Sequence, residues 1–124
     1  MKNNLDNNEF INKSMYDSET ECPIIYALNI VGAKWKLPIM WYVLENEPIR
    51  YNELKRQVKG ITNTMLTKSL RELEEHGLII RNEYNTNPPK VEYSLSEQGK
   101  ALLPTLDALS EWGKKQMKIY KNKK

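Results

Sequence analysis

The chain has 124 residues, of which 40 % are hydrophobic and 28 % charged, enough for one ordinary domain with a modest core. No apolar run approaches the roughly 18 residues that span a bilayer. The polar start "MKNNLDNNEF" has no signal-peptide core, so a cytoplasmic protein with no membrane partner is expected.

The net charge of +3 is unevenly spread. Residues 1–21 hold two lysines against five acids, −3, so the remainder carries +6. This Asn-rich head lacks apolar periodicity and reads as a flexible arm, 1–21. Residues 22–121 read as the folded domain and 122–124 as a basic, solubilising tail.

"CPIIYALNIV" places Pro in a first turn and Ile24, Ile25, Leu28 and Val31 at helical spacing, ending at Gly32. "KWKLPIMWYVLEN" gives a second apolar helix through Trp35, Ile39, Tyr42 and Val43. Pro38 falls early in it, where a missing N–H costs little. "EPIR" reads as an extended link. "YNELKRQV" is a short third helix with Asn52 as candidate N-cap and Leu54 and Val58 inward. Gly60 turns the chain.

Thr62 then caps a helix to about His76. Leu66, Leu70 and Leu73 fall at i, i+4 and i+7, and Gly77 follows as the C′ residue. Its other face is Thr64, Thr67, Lys68 and Arg71. After Gly77 the period becomes two. "LIIRNEY" and "VEYSLS" read as strands around the loop "NTNPPK", with Val91, Tyr93 and Leu95 sharing a face. From Ser96 as N-cap, one long helix is expected, with the stripe Leu102, Leu106, Leu109, Trp112, Gln116 and Ile119.

The expected fold is mainly α with a small β-hairpin: a winged helix-turn-helix plus N- and C-terminal dimerisation helices. Two helices joined by a tight Gly turn and followed by a hairpin form that motif. Its second helix lies in the major groove, with its N-terminal residues at base edges. That accounts for the Thr-Asn-Thr start. Asn pairs bidentately with adenine, and Thr donates, accepts, or touches a thymine methyl.

The expected contacts to double-stranded DNA are therefore Asn63, Thr64, Thr67, Lys68 and Arg71 in the major groove. Thr62 turns its helix end to a phosphate. Asn52, Lys55 and Arg56 are phosphate-side candidates, and the wing loop offers Asn85, Asn87 and Lys90. Plainer readings stand beside these. The leucine stripe is core, Trp35, Trp41 and Trp112 are packing residues, and Lys55, Arg56 and Lys59 also suit a solvated face.

An enzyme is not expected. A structural zinc site wants four Cys or His ligands, and the chain has one of each, so neither metal nor cofactor is expected. A Cys–His nucleophile pair could draw only on Cys22 and His76, which nothing brings together. The alternative function is a winged helix that docks on transcription or replication machinery without reading DNA.

A homodimer is expected, because a palindrome needs two copies about one DNA turn, roughly 34 Å, apart. Ile24, Ile25, Leu28, Leu102, Leu106, Leu109, Trp112 and Ile119 are its expected interface. Cys22 precedes Pro23 at a helix N-terminus, which favours thiolate, while Glu19 and Glu21 oppose it. A buried, inert thiol is the plainer alternative.

Over residues 22 to 113 the sequence resembles the HxlR family of bacterial transcriptional regulators, winged-helix relatives of the MarR group. The combination that carries the resemblance is Cys-Pro before the first helix, Gly-x-Lys-Trp, Leu-Thr-x-x-Leu-x-x-Leu-Glu, Pro-Pro-x-Val-Glu-Tyr and a late Trp-Gly. It implies a homodimer on a near-palindromic operator. For Cys22 it implies a sensor of thiol-reactive electrophiles or oxidants, since sensing members carry Cys-Pro at that place. With one cysteine, the switch would be an intersubunit Cys22 disulfide, a mixed disulfide with a small thiol, or alkylation. Asn63 and Thr64 depart from the basic residues often found there, which bears on the operator sequence rather than the binding mode.

Overall fold

The computed structural model describes residues 22–122. The expected arm, 1–21, and the last two residues of the expected tail lie outside the described residues. Asn122 ends a helix.

Helix α1 is Pro23–Val31, α2 is Lys36–Asn46, and strand β1 is Ile49–Arg50. Helix α3 (Tyr51–Gln57) and helix α4 (Asn63–Glu75) follow. Strands β2 (Ile79–Tyr84) and β3 (Lys90–Leu95) precede a short α5 (Glu97–Lys100) and a long α6 (Leu103–Asn122). The sheet is antiparallel with order β1-β3-β2. This is a winged helix-turn-helix.

Local chemistry sets the element ends. Thr62 Oγ1 accepts from the Met65 N–H at 3.1 Å and so caps α4. Gly77 has φ +75°, a conformation that leaves Gly as the residue of choice after the helix. Ser96 Oγ accepts from the Gly99 N–H at 3.0 Å and also donates to the Gly77 carbonyl, which ties the end of α4 to the start of α5.

The expected "EPIR" link is a third strand, since Ile49 pairs with Tyr93 and Arg50 with Glu92. This also corrects Asn52 as an N-cap. The chain passes straight from β1 into α3, so Arg50 occupies the cap position without a side-chain bond and Asn52 lies in the first turn. The expected single C-terminal helix is broken as well. Pro104 has no N–H for the Lys100 carbonyl and its ring would crowd that group. The helix stops at Lys100 and restarts at Leu103, with Pro104 in its first turn.

The core gathers one face from each element. Ile39, Met40 and Val43 of α2 meet Leu54 of α3, Leu66, Leu70 and Leu73 of α4, and Ile49, Ile79, Tyr93 and Leu95 of the sheet. Of the α1 residues only Val31 is buried. Leu106, one of the expected interface residues, is 5 % exposed and packs in the core. Among the described residues, no helix is long and apolar enough to cross a membrane.

Candidate nucleic-acid interface

The α3–turn–α4 unit presents the outward face of α4. Its inward leucines are buried, and at helical spacing Thr64, Thr67, Lys68 and Arg71 lie away from them, while Asn63 starts the helix at the near end of the leucine side. All five are exposed and share one open surface. The first-turn N–H groups of α4 and its positive dipole end lie at the same end as Thr62, Asn63 and Thr64.

Tyr51 belongs to this face although the sequence did not single it out. Its hydroxyl lies 3.1 Å from Asn63 Oδ1 and 3.1 Å from Thr67 Oγ1, so α3 grips the start of α4 through polar atoms. The ring is half-buried and packs against the core, which fixes where the hydroxyl sits. A tyrosine in the first turn of the preceding helix was the available signal. Its partners became evident only once the two helices crossed.

On α3, Asn52 and Arg56 are exposed and Lys55 is half-buried. Arg56 is ion-paired with Glu53. The Gln57 amide, and then the Arg56 guanidinium, hold the Glu53 carboxyl below the usual carboxylate range. Arg56 is therefore engaged by Glu53, whereas Asn52 is exposed to solvent.

In the wing, Asn85 and Asn87 are exposed in the loop between β2 and β3. Lys90 opens β3, with its Nζ 4.8 Å from the centre of the Tyr84 ring and 3.8 Å from Glu92 Oε2. These contacts steady the ammonium at the base of the wing loop. On β2, Arg81 pairs with Glu83 at 3.1 Å, and that bond, with Tyr93 second, raises the guanidinium pKa further.

Behind this face, Lys36 is buried. Its Nζ donates to the Ile30 carbonyl at 3.1 Å and to Glu72 Oε1 at 2.9 Å. The Lys36 hydrogen bond is the main reason the Glu72 carboxyl is held below its usual range. The ion pair pins the middle of α4 to α2 and to the end of α1. Periodicity could not reveal it, since a lysine at the start of a helix normally reads as solvated.

Cys22 is exposed at the N-cap of α1, with no capping bond from its side chain. Ile24, Ile25 and Leu28 are exposed beyond it. On α6, Leu109, Trp112 and Ile119 are exposed, and Leu102 is half-buried. No cluster of His, Cys, Asp and Glu among the described residues could hold a metal ion.

The family model for the HxlR-like helix-turn-helix matches residues 30–121. The chain belongs to this family. It is 48 % identical over 95 residues to the HTH-type transcriptional regulator BH0655 of Halalkalibacterium halodurans, covering 77 % of this chain and 84 % of that one. A solved MarR-family regulator from Porphyromonas gingivalis W83 superposes with a TM-score of 0.72 at 39 % identity, covering 76 % and 91 % of the two chains. The redox regulator HypR in its reduced form gives a TM-score of 0.75 at 38 % identity, covering 82 % and 99 %. HxlR-like proteins are transcriptional regulators, and this chain carries their helix-turn-helix fold.

Proposed function

We propose that this HxlR-like chain acts as a homodimer that reads a near-palindromic operator. Each α4 enters a major groove and each wing lies along the flanking minor groove or its phosphates. The observation that carries this is the exposed polar surface formed by Asn63, Thr64, Thr67, Lys68 and Arg71 beside a capped helix N-terminus. Hydroxyls, an amide and two cations on one helical face match base edges in the centre and phosphates around them. The exposed apolar faces of α1 and α6 support dimerisation, since such patches on a small domain mark association surfaces.

The test is duplex affinity against salt. The logarithm of the binding constant should fall linearly with the logarithm of salt concentration, with a slope near −0.9 for each phosphate neutralised. Absence of binding at low salt would leave the protein-docking role instead.

Cys22 is the proposed sensor, supported by its exposure at the helix start and by the likeness to a redox regulator. The covalent step is one of three. Two Cys22 thiols of a dimer, or one Cys22 thiol and a small thiol, lose two protons and two electrons to an oxidant such as diamide and form a disulfide; or one Cys22 thiol adds its sulfur to an electrophilic carbon of a quinone, whose oxygen takes up the proton. Diamide or a quinone should change the operator affinity of wild type and leave Cys22→Ser unchanged. Equal responses in the two proteins would remove the sensor role.

A further inference from the structure

The polar groups at the start of α4 are not independent of one another. The Tyr51 hydroxyl lies 3.1 Å from Asn63 Oδ1, 3.2 Å from the Asn63 main-chain carbonyl oxygen and 3.1 Å from Thr67 Oγ1. Both Asn63 atoms are carbonyl oxygens, which only accept. A phenol has one proton. That proton goes to Asn63, and the Tyr51 oxygen must then accept the Thr67 hydroxyl proton. The bonds run in one direction, from Thr67 to Tyr51 to Asn63.

We propose that Tyr51 is a positioning residue that sets the hydrogen-bond polarity of the recognition helix, so that Asn63 meets a base as a donor and Thr67 as an acceptor. The inference rests on the reading that α4 enters the major groove. With Oδ1 turned to α3, Asn63 presents its NH2 group to the groove. Thr67 has used its only proton and presents lone pairs and a methyl.

The base chemistry follows. An outward NH2 suits guanine O6 and N7, or thymine O4. Bidentate pairing with adenine needs the amide oxygen and nitrogen side by side in the groove. The Asn63 oxygen has a second lone pair, but its bond to Tyr51 directs the oxygen toward α3. Thr67 accepts from the exocyclic amine of cytosine or adenine, or covers a thymine methyl. Asn63 and Thr67 are about one helical turn apart, about 6 Å along the axis, so they address base pairs within about two steps of each other.

The experiment selects bound duplexes from a randomised pool with the full chain, as wild type, Tyr51→Phe and Asn63→Asp. Affinities are then measured on the four single-base versions of each position of the selected site. Circular dichroism confirms that each variant folds. At one symmetric position, wild type should favour guanine or thymine over adenine by about fivefold or more. Tyr51→Phe should keep the salt slope while admitting adenine at that position. Asn63→Asp has only acceptors and should move the same position to cytosine. A wild-type preference for adenine where Asn63→Asp acts would overturn the proposal. So would a Tyr51→Phe profile identical to wild type. If Tyr51→Phe does not fold, the wild-type and Asn63→Asp profiles decide alone by the same criteria. If wild type binds duplexes but enriches no sequence, or binds none, the base-reading role of α4 itself fails, and this inference fails with it.

Discussion

Lys36 Nζ lies 2.9 Å from Glu72 Oε1, so a buried side chain on α2 holds the middle of α4 from behind. Replacing Glu72 with Gln leaves the Lys36 charge with only the Ile30 carbonyl and a neutral amide. We expect a loss of about 1–3 kcal/mol at neutral pH, read from urea denaturation. The sign with pH is fixed by the lowered carboxyl. Glu72 is held below its ordinary value of 4.5, so its stabilisation is present above the unfolded value and lost as pH falls through the folded one. The gap between wild type and Glu72→Gln should therefore narrow as pH drops below 4.5. A constant gap would show that the charge on Glu72 contributes nothing.

Two glycines should respond in opposite directions to alanine. A Cβ on Gly99 would fall 2.3 Å from the Leu78 carbonyl oxygen, a main-chain atom that cannot step aside. Gly99→Ala should cost about 2 kcal/mol or more by forcing α5 off the wing. Gly113, within α6, has nothing within 4 Å of its Cβ position. Gly113→Ala should stabilise the chain by about 0.5–1 kcal/mol through helix propensity. Thermal denaturation of the two variants separates these outcomes.

Dimerisation should depend on exposed residues and not on Leu106. Ile25 is 52 % exposed and Trp112 61 % exposed. Ile25→Glu combined with Trp112→Glu should give a folded monomer in sedimentation, with weakened duplex binding. Leu106→Glu should instead unfold the subunit, because its side chain lies in the core. A folded dimer carrying both exposed substitutions would place the interface elsewhere.

Lys90 is steadied by Tyr84 and Glu92, so its ammonium is a fixed charge at the wing. Lys90→Ala should weaken binding to all duplexes alike and reduce the magnitude of the salt slope by about one. A change confined to one base position would assign Lys90 to base reading.

Much of the fold was legible because its ends are set by local chemistry. Thr62, Gly77 and Ser96 act within a few residues of themselves, and a capping pattern is visible in a sequence. The leucine stripe of α4 was equally plain. Asn52 misled because the preceding dipeptide pairs with a strand some forty residues later, a non-local event that displaced the helix start. Pro104 carried a signal against one continuous helix, and the apolar stripe around it masked that signal. Lys36 and Tyr51 were not legible. Their roles depend on which helix lies across them, and neither residue type announces burial or a polar grip.

Two copies of α4 are proposed to read two half-sites. Hydroxyl-radical footprinting of the full chain on its selected duplex tests this. Two protected segments, related by a two-fold axis and centred about 10 base pairs or a whole-turn multiple apart, are predicted. Asn63→Ala should lose both segments at the wild-type protein concentration. A single protected segment, or protection that Asn63→Ala leaves intact, would rule out reading of two half-sites by α4.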